Sequence, residues 1–176
     1  MKKMRKISTV LLALIVALAM SAAAFGETGG VSEDAAVKKA LKDANTSASK
    51  VKNLEVELDD NGKAYEIEFV KKSSRTEYSY EIAVSDGLIL EKSVDYVYKH
   101  NKSKKKIGKK KARKIVAKKS GVSLKTIKKG TCKYKYKHKE GKYTLKFRTS
   151  KYKYEYELLA PNGKVMEYDY EFIGTR

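Results

Sequence analysis

The chain is 176 residues long and carries 40 Lys and Arg against 21 Asp and Glu, a formal net charge of +19, with a single cysteine and two histidines. One cysteine excludes an internal disulfide, so the fold must be held by burial alone. His100 and His138 stand far apart with no second ligand at useful spacing, and the sequence holds no glycine-rich phosphate loop, nucleophile elbow or paired-histidine helix. The common metal, nucleotide and hydrolase chemistries are thereby excluded, and no cofactor is expected.

The first segment, 1–24, reads as a signal peptide. Lys2, Lys3, Arg5 and Lys6 precede the apolar run from Val10 to Met20, and Ala22, Ala23 and Ala24 supply small residues for cleavage. The run is shorter than the roughly 20 residues that a bilayer span needs. No cysteine lies near the cleavage region, so lipid attachment is not expected. The mature protein is expected to begin near Phe25 and to work outside the cytoplasm, as a secreted or surface-associated protein. Residues 25–30 form a short linker.

Residues 31–98 read as one small unit. Ser32 is placed to cap a helix whose first turn holds Glu33 and Asp34, where the helix dipole favours negative charge. Ala36, Val37, Ala40, Leu41 and Ala44 fall at helical spacing and form one apolar stripe, and Asn45 suits the exit. Four strands follow by alternation: Leu54, Val56 and Leu58; Tyr65, Ile67 and Phe69; Tyr78, Tyr80, Ile82 and Val84; and a last strand from Leu88 to Tyr98. Asp60-Asn61-Gly62 and Asp86-Gly87 provide turns.

A basic linker, 99–106, leads to a second unit at 107–174. Its helix carries Ala112, Ile115, Val116 and Ala117 and ends at Ser120-Gly121. Its strands carry Cys132, Tyr134 and Tyr136; Tyr143, Leu145 and Phe147; Tyr152, Tyr154, Tyr156 and Leu158; and Val165, Tyr168, Tyr170 and Phe172, with Asn162-Gly163 as a hairpin turn. Their period of two matches the buried face of a sheet, so the tyrosines are read as core packing ahead of stacking platforms. Cys132 is read the same way, as a small buried hydrophobe.

The two units align. Val31-Ser32 matches Ile107-Gly108, Ala36 matches Ala112, Tyr78-Ser79-Tyr80 matches Tyr154-Glu155-Tyr156, and Asp86-Gly87 matches Asn162-Gly163, all at an offset of 76 residues (107 − 31). The expected fold class is α+β: two tandem repeats, each one helix packed on a three- to four-stranded antiparallel sheet. Ile107-Gly108, Ala112 through Gly121, Tyr154-Glu155-Tyr156-Glu157 and Asn162-Gly163-Lys164-Val165 resemble a PepSY domain. The first copy matches through Val31 to Asp34, Leu54 to Leu58, Tyr65 to Phe69, Tyr78 to Ile82 and Asp86-Gly87. The resemblance implies a helix laid on an antiparallel sheet, no active site, and a role in restraining an extracellular or wall-associated protease. The second helix departs from the pattern in lacking an acidic first turn.

Charge separates the copies. Residues 25–98 hold 10 basic and 15 acidic side chains, and residues 99–176 hold 26 basic and 6 acidic ones. Glu55, Glu57, Asp59, Glu66, Glu68, Glu77 and Glu81 are expected to form an acidic wall. In the second copy Lys133, Lys135, Lys137, Lys146 and Lys153 should oppose Glu155, Glu157, Glu167, Asp169 and Glu171 across the strands. That pattern leaves unexplained a run of cations in the linker and second helix: Lys104, Lys105, Lys106, Lys109, Lys110, Lys111, Arg113, Lys114, Lys118 and Lys119. Cations in a first turn oppose the helix dipole by roughly 0.3 to 1 kcal/mol each. The run reads either as a solvated helix face or as a footprint for a polyanion such as a teichoic acid or an anionic lipid headgroup. Lysine is a flexible point charge, so sequence-specific nucleic-acid binding is not expected. Docking of the basic copy on the acidic copy, within one chain or between chains, is a further expectation.

Overall fold

A computed structural model describes residues 30–98 and 103–175. The signal-peptide reading, most of the short linker, His100 and the start of the basic linker lie outside the described residues. The elements are α1 (Glu33–Asp43), a 3-10 turn (Ala48–Lys50), β1 (Val51–Leu58), β2 (Ala64–Lys71), β3 (Thr76–Ala83), β4 (Ile89–Asp95), α2 (Lys109–Ser120), α3 (Leu124–Lys129), β5 (Thr131–Lys137), β6 (Glu140–Arg148), β7 (Tyr152–Leu159) and β8 (Val165–Phe172).

The fold is α+β, with one antiparallel sheet of eight strands in the order β1-β2-β3-β4-β8-β7-β6-β5. The expectation of a separate sheet in each half is corrected here. β4 and β8 would each leave an open edge of unpaired backbone groups, and they satisfy each other instead. The pairs run Glu91 to Glu171, Lys92 to Tyr170, Ser93 to Asp169, Val94 to Tyr168 and Asp95 to Glu167. This register is symmetric about the Ser93–Asp169 pair, whose members stand 76 residues apart (169 − 93).

Local sequence explains the helices. The Ser32 hydroxyl accepts from the Ala35 backbone N–H at 3.3 Å, and Ala36, Ala40, Leu41 and Ala44 are buried against the sheet. Asn45 takes the positive φ that ends the turn. At the start of α2, Gly108 has no side chain with which to cap, and its own N–H donates to the Tyr143 hydroxyl at 3.0 Å. Gly121, left-handed at φ 71°, closes α2. No helix is expected from the sequence at α3, which is six residues long and buries only Ile127, too little for a helical period to show.

Both helices lie on the same side of the sheet. Ile67, Phe69, Tyr80 and Ile82 meet α1 in one core, while Tyr143, Leu145, Phe147, Tyr156 and Leu158 meet α2 and α3 in another. Cross-strand pairing of Tyr78, Val94, Tyr168 and Tyr156 places both cores on one face. Single-residue bulges at Leu90 and Met166 shift the register at matching places in β4 and β8. The second bulge accounts for Val165 and Tyr168 sharing a face despite their odd spacing.

β1 departs from expectation. Its register slips between Lys52 and Glu55, with Asn53 at positive φ, so Val51 and Val56 both face the helix side. Leu54 is 38% and Leu58 53% exposed, because β1 is an edge strand and α1 packs inboard on β2. The last strand of the first half ends at Asp95 rather than Tyr98.

Candidate functional site

The lysines singled out in the sequence fall on the helix-bearing side of the second half. Lys104, Lys105, Lys106, Lys109, Lys110, Lys111, Lys114 and Lys118 are exposed, and Arg113 is half-buried. Lys110, Lys114 and Lys118 recur every four residues along α2 and so form one stripe of like charge, an arrangement that weakens an isolated helix. Lys106 lies 4.4 Å from the Tyr134 ring centroid. Among the described residues no ion pair includes any of these cations. Arg113 lies toward β5, where its charge acts on Cys132, and its Nε has no hydrogen-bond partner. Burial pushes the Cys132 thiol above its ordinary value, so this cysteine is a packed hydrophobe rather than a thiolate.

Between the helices the sheet floor is aromatic. Tyr78, Tyr152, Tyr154, Tyr168 and Tyr170 are half-buried, while Tyr80, Tyr143 and Tyr156 are buried. The rings lean on one another: Tyr156 and Tyr168 stack at 5.2 Å, and Phe147 and Tyr154 at 4.9 Å. Core packing is therefore the main use of the tyrosine stripes, with the central rings also reaching solvent. Tyr96 tilts against Tyr168, and the Tyr98 hydroxyl donates to Glu140 at 3.4 Å.

At the middle of this floor sits Lys92, which the sequence reading did not single out. It is only 5% exposed, and its ammonium lies 5.2 to 6.0 Å from the ring centroids of Tyr80, Tyr168, Tyr170 and Tyr78. Its ion-pair partner is Asp43, whose Oδ2 also accepts from the Tyr80 hydroxyl at 2.9 Å. The cation is thus enclosed by ring faces and balanced by one carboxylate. Burial, then the Asp43 charge, raises the Tyr80 hydroxyl far above its ordinary value and keeps it a donor. Lys119, 76 residues beyond Asp43 (119 − 43), lies over Tyr96 and Tyr168 at 5.4 and 5.8 Å. No sequence period distinguishes a buried lysine in a strand from an exposed one, so only the cross-strand register reveals Lys92.

The opposite face of the sheet is acidic across more strands than the first half alone. Glu57, Glu66, Glu81, Glu91 and Glu171 stand side by side on β1, β2, β3, β4 and β8. A second row runs through Glu77, Asp95, Glu167 and Glu157. Like charges directly opposite are destabilising. Desolvation first, and then Asp169, Asp95, Glu157 and Glu155, push the Glu167 carboxyl up to about 7. Glu68, Glu91, Asp95 and Asp169 are raised for the same two reasons. Two of the expected lysines close the field at its far side, Lys146 with Glu155 at 2.6 Å and Lys153 with Glu171 at 3.2 Å, and Lys142 joins Glu157 at 3.6 Å. Lys133, Lys135 and Lys137 lie on the edge strand β5 and stand opposite Thr144, Lys142 and Glu140 instead. Asp59 accepts from the Lys63 and Ala64 N–H groups, so the cluster at Asp59 to Gly62 is a turn.

No family model matches the chain. No curated protein matches it either. Among solved structures, the Bacillus megaterium YpeB C-terminal domain is similar, at 15% identity over 79% of this chain and 62% of that one, with a TM-score of 0.46. A Clostridium difficile 630 protein described as a lipoprotein is similar at 18% identity over 77% of this chain and 90% of that one, with a TM-score of 0.30. These likenesses concern the course of the backbone.

The acidic row and the α2 lysines lie on opposite sides of a single sheet. Among the described residues no helix is long and apolar enough to cross a membrane.

Proposed function

We propose that the chain is a non-enzymatic, extracytoplasmic binding protein of tandem PepSY-like build that attaches through its lysine-rich side to a phosphate-bearing polyanion. One observation carries the reading. The described lysines of the linker and α2 are exposed and outside every ion pair among the described residues, while two rows of carboxylates line the other face of the sheet. A helix that begins with Lys109, Lys110 and Lys111 on an uncapped glycine loses stability that an external anion restores. The palindromic strand order, the matched bulges and the register symmetric about Ser93 and Asp169 support the tandem build. Restraint of an extracellular protease is the regulatory role implied by the PepSY resemblance; the arrangement assigns no residue to it.

The test is retention of the purified protein on isolated cell walls with and without teichoic acid, across a salt series. Retention should need the polymer and fall steeply with salt, because charge-driven binding is screened. Replacing Lys104, Lys105, Lys106, Lys109, Lys110 and Lys111 with glutamine should abolish it. Salt-insensitive retention, or retention unchanged by those replacements, overturns the proposal.

A further inference from the structure

The sheet has two edges, β1 and β5, and each has a strand neighbour on one side only. Each presents a row of backbone donors and acceptors, which is the usual template for strand addition. The two edges differ in charge. On the face away from the helices β1 carries Glu55 and Glu57, whereas β5 carries Lys133, Lys135 and Lys137. Large apolar side chains left exposed also gather at these edges: Leu54 and Leu58 on β1, and Tyr136 on β5, which is 42% exposed. The other two, Val97 and Ile173, follow the ends of β4 and β8.

From these observations we infer that β1 of one copy pairs with β5 of a second copy of this chain, edge to edge, and continues the sheet. Direction permits it. All seven strand pairings are antiparallel, so β1 and β5 at the two ends of the order run in opposite directions. A second copy displaced along the sheet therefore brings its β5 antiparallel to β1 with all helices on one side. Glu55 and Glu57 then share a face with Lys133, Lys135 and Lys137, and Leu54, Val56 and Leu58 share the other with Tyr134 and Tyr136.

Charge also selects this pairing over its rivals. β1 on β1 sets glutamates against glutamates, and β5 on β5 sets lysines against lysines, both destabilising. Lysines on an edge strand and the bulge near Asn53 guard against neutral partners, and the acidic edge is the one the lysines accept. A contact between two different surfaces does not close on itself, so association is open-ended. The inference uses edge residues only and is independent of the polyanion reading.

Sedimentation velocity of the full chain over a wide concentration range tests it. The mean mass should rise past that of a dimer without a plateau and fall as salt is added. K133E/K135E and E55K/E57K should each weaken association by about tenfold or more, since two favourable cross-strand pairs become repulsive. An equimolar mixture of the two variants should restore it, and so should all four changes in one chain. All versions share residues 1–24, so association through that segment predicts no such rescue, and circular dichroism of each variant verifies that the fold is kept. A parent that stays monomeric, a closed dimer, variants that associate as the parent does, or a mixture that fails to restore association each overturn the inference.

Discussion

Lowering the pH from about 8 to about 5 should stabilise this protein, the reverse of what a basic chain with surface ion pairs suggests. The perturbation acts on the acidic face. Glu167 pairs with Asp95 on one side and Glu157 on the other, and its carboxyl titrates at about 7 instead of the ordinary 4.5. Between those values the folded chain binds a proton that the unfolded chain does not. The destabilisation from this group is therefore fully present above about 7 and is relieved as the pH falls toward 4.5. A displacement of that size corresponds to about 3 kcal/mol in a dry site, and screening at a half-exposed carboxyl reduces it to roughly 1 to 2 kcal/mol. Glu68, Glu91, Asp95 and Asp169, also raised, add in the same direction. Urea unfolding at a series of pH values reads the effect as a shift in midpoint at constant m-value. E167Q should gain roughly 1 to 2 kcal/mol near pH 8 and almost nothing near pH 5, because the glutamine lacks the charge that the low pH already removes. A midpoint that falls steadily from pH 8 to 5, or an E167Q variant no more stable than the parent near pH 8, refutes the reasoning.

Two further predictions concern packing. Lys92→Met removes the ion-pair partner of Asp43 while the hydrogen bond from the Tyr80 hydroxyl stays, and should cost about 1 to 3 kcal/mol in urea unfolding, with part of the loss recovered when Asp43→Asn is added; a loss below about 0.5 kcal/mol contradicts the balanced-cation reading. Gly130→Ala places a Cβ 2.2 Å from the Lys146 carbonyl oxygen and 2.6 Å from Phe147 Cβ, so β5 must move away from β6. Its cost should be about 2 to 4 kcal/mol, with hydrogen exchange rising first in β5; uniform exchange across the sheet counts against that account.

The elements were legible where the chain writes them in short-range patterns. Ser32, the alanine stripe of α1 and Gly121 mark helix ends and faces by residue type, and the alternation of Tyr65, Ile67 and Phe69 marks a strand whatever its neighbours are. What escaped depends on pairings between distant residues. The union of β4 with β8 is set by which backbone edges remain open after each half has folded, a property of the assembled sheet. The exposure of Leu54 and Leu58 has the same origin, since a leucine at an edge and one in the middle of a sheet look alike in sequence. The lysine surface was readable because net charge needs no fold to be counted. Lys92 was not, because its environment is assembled from β3, β4, β8 and α1 together.

The symmetric seam between β4 and β8 has the geometry of a contact between two identical subunits, yet a covalent tether joins its sides. Such a tether replaces bulk concentration by a high local one, so the seam stays formed at any dilution. It also frees the two sides from being alike. In a true dimer, any change on one side of the axis appears on the other as well. Here Asp43 meets Lys92 on one side, while at the related positions Lys119 meets Tyr168. Within one chain, one side of the axis can thus use an ion pair and the other a cation on a ring, a division of labour closed to two identical subunits.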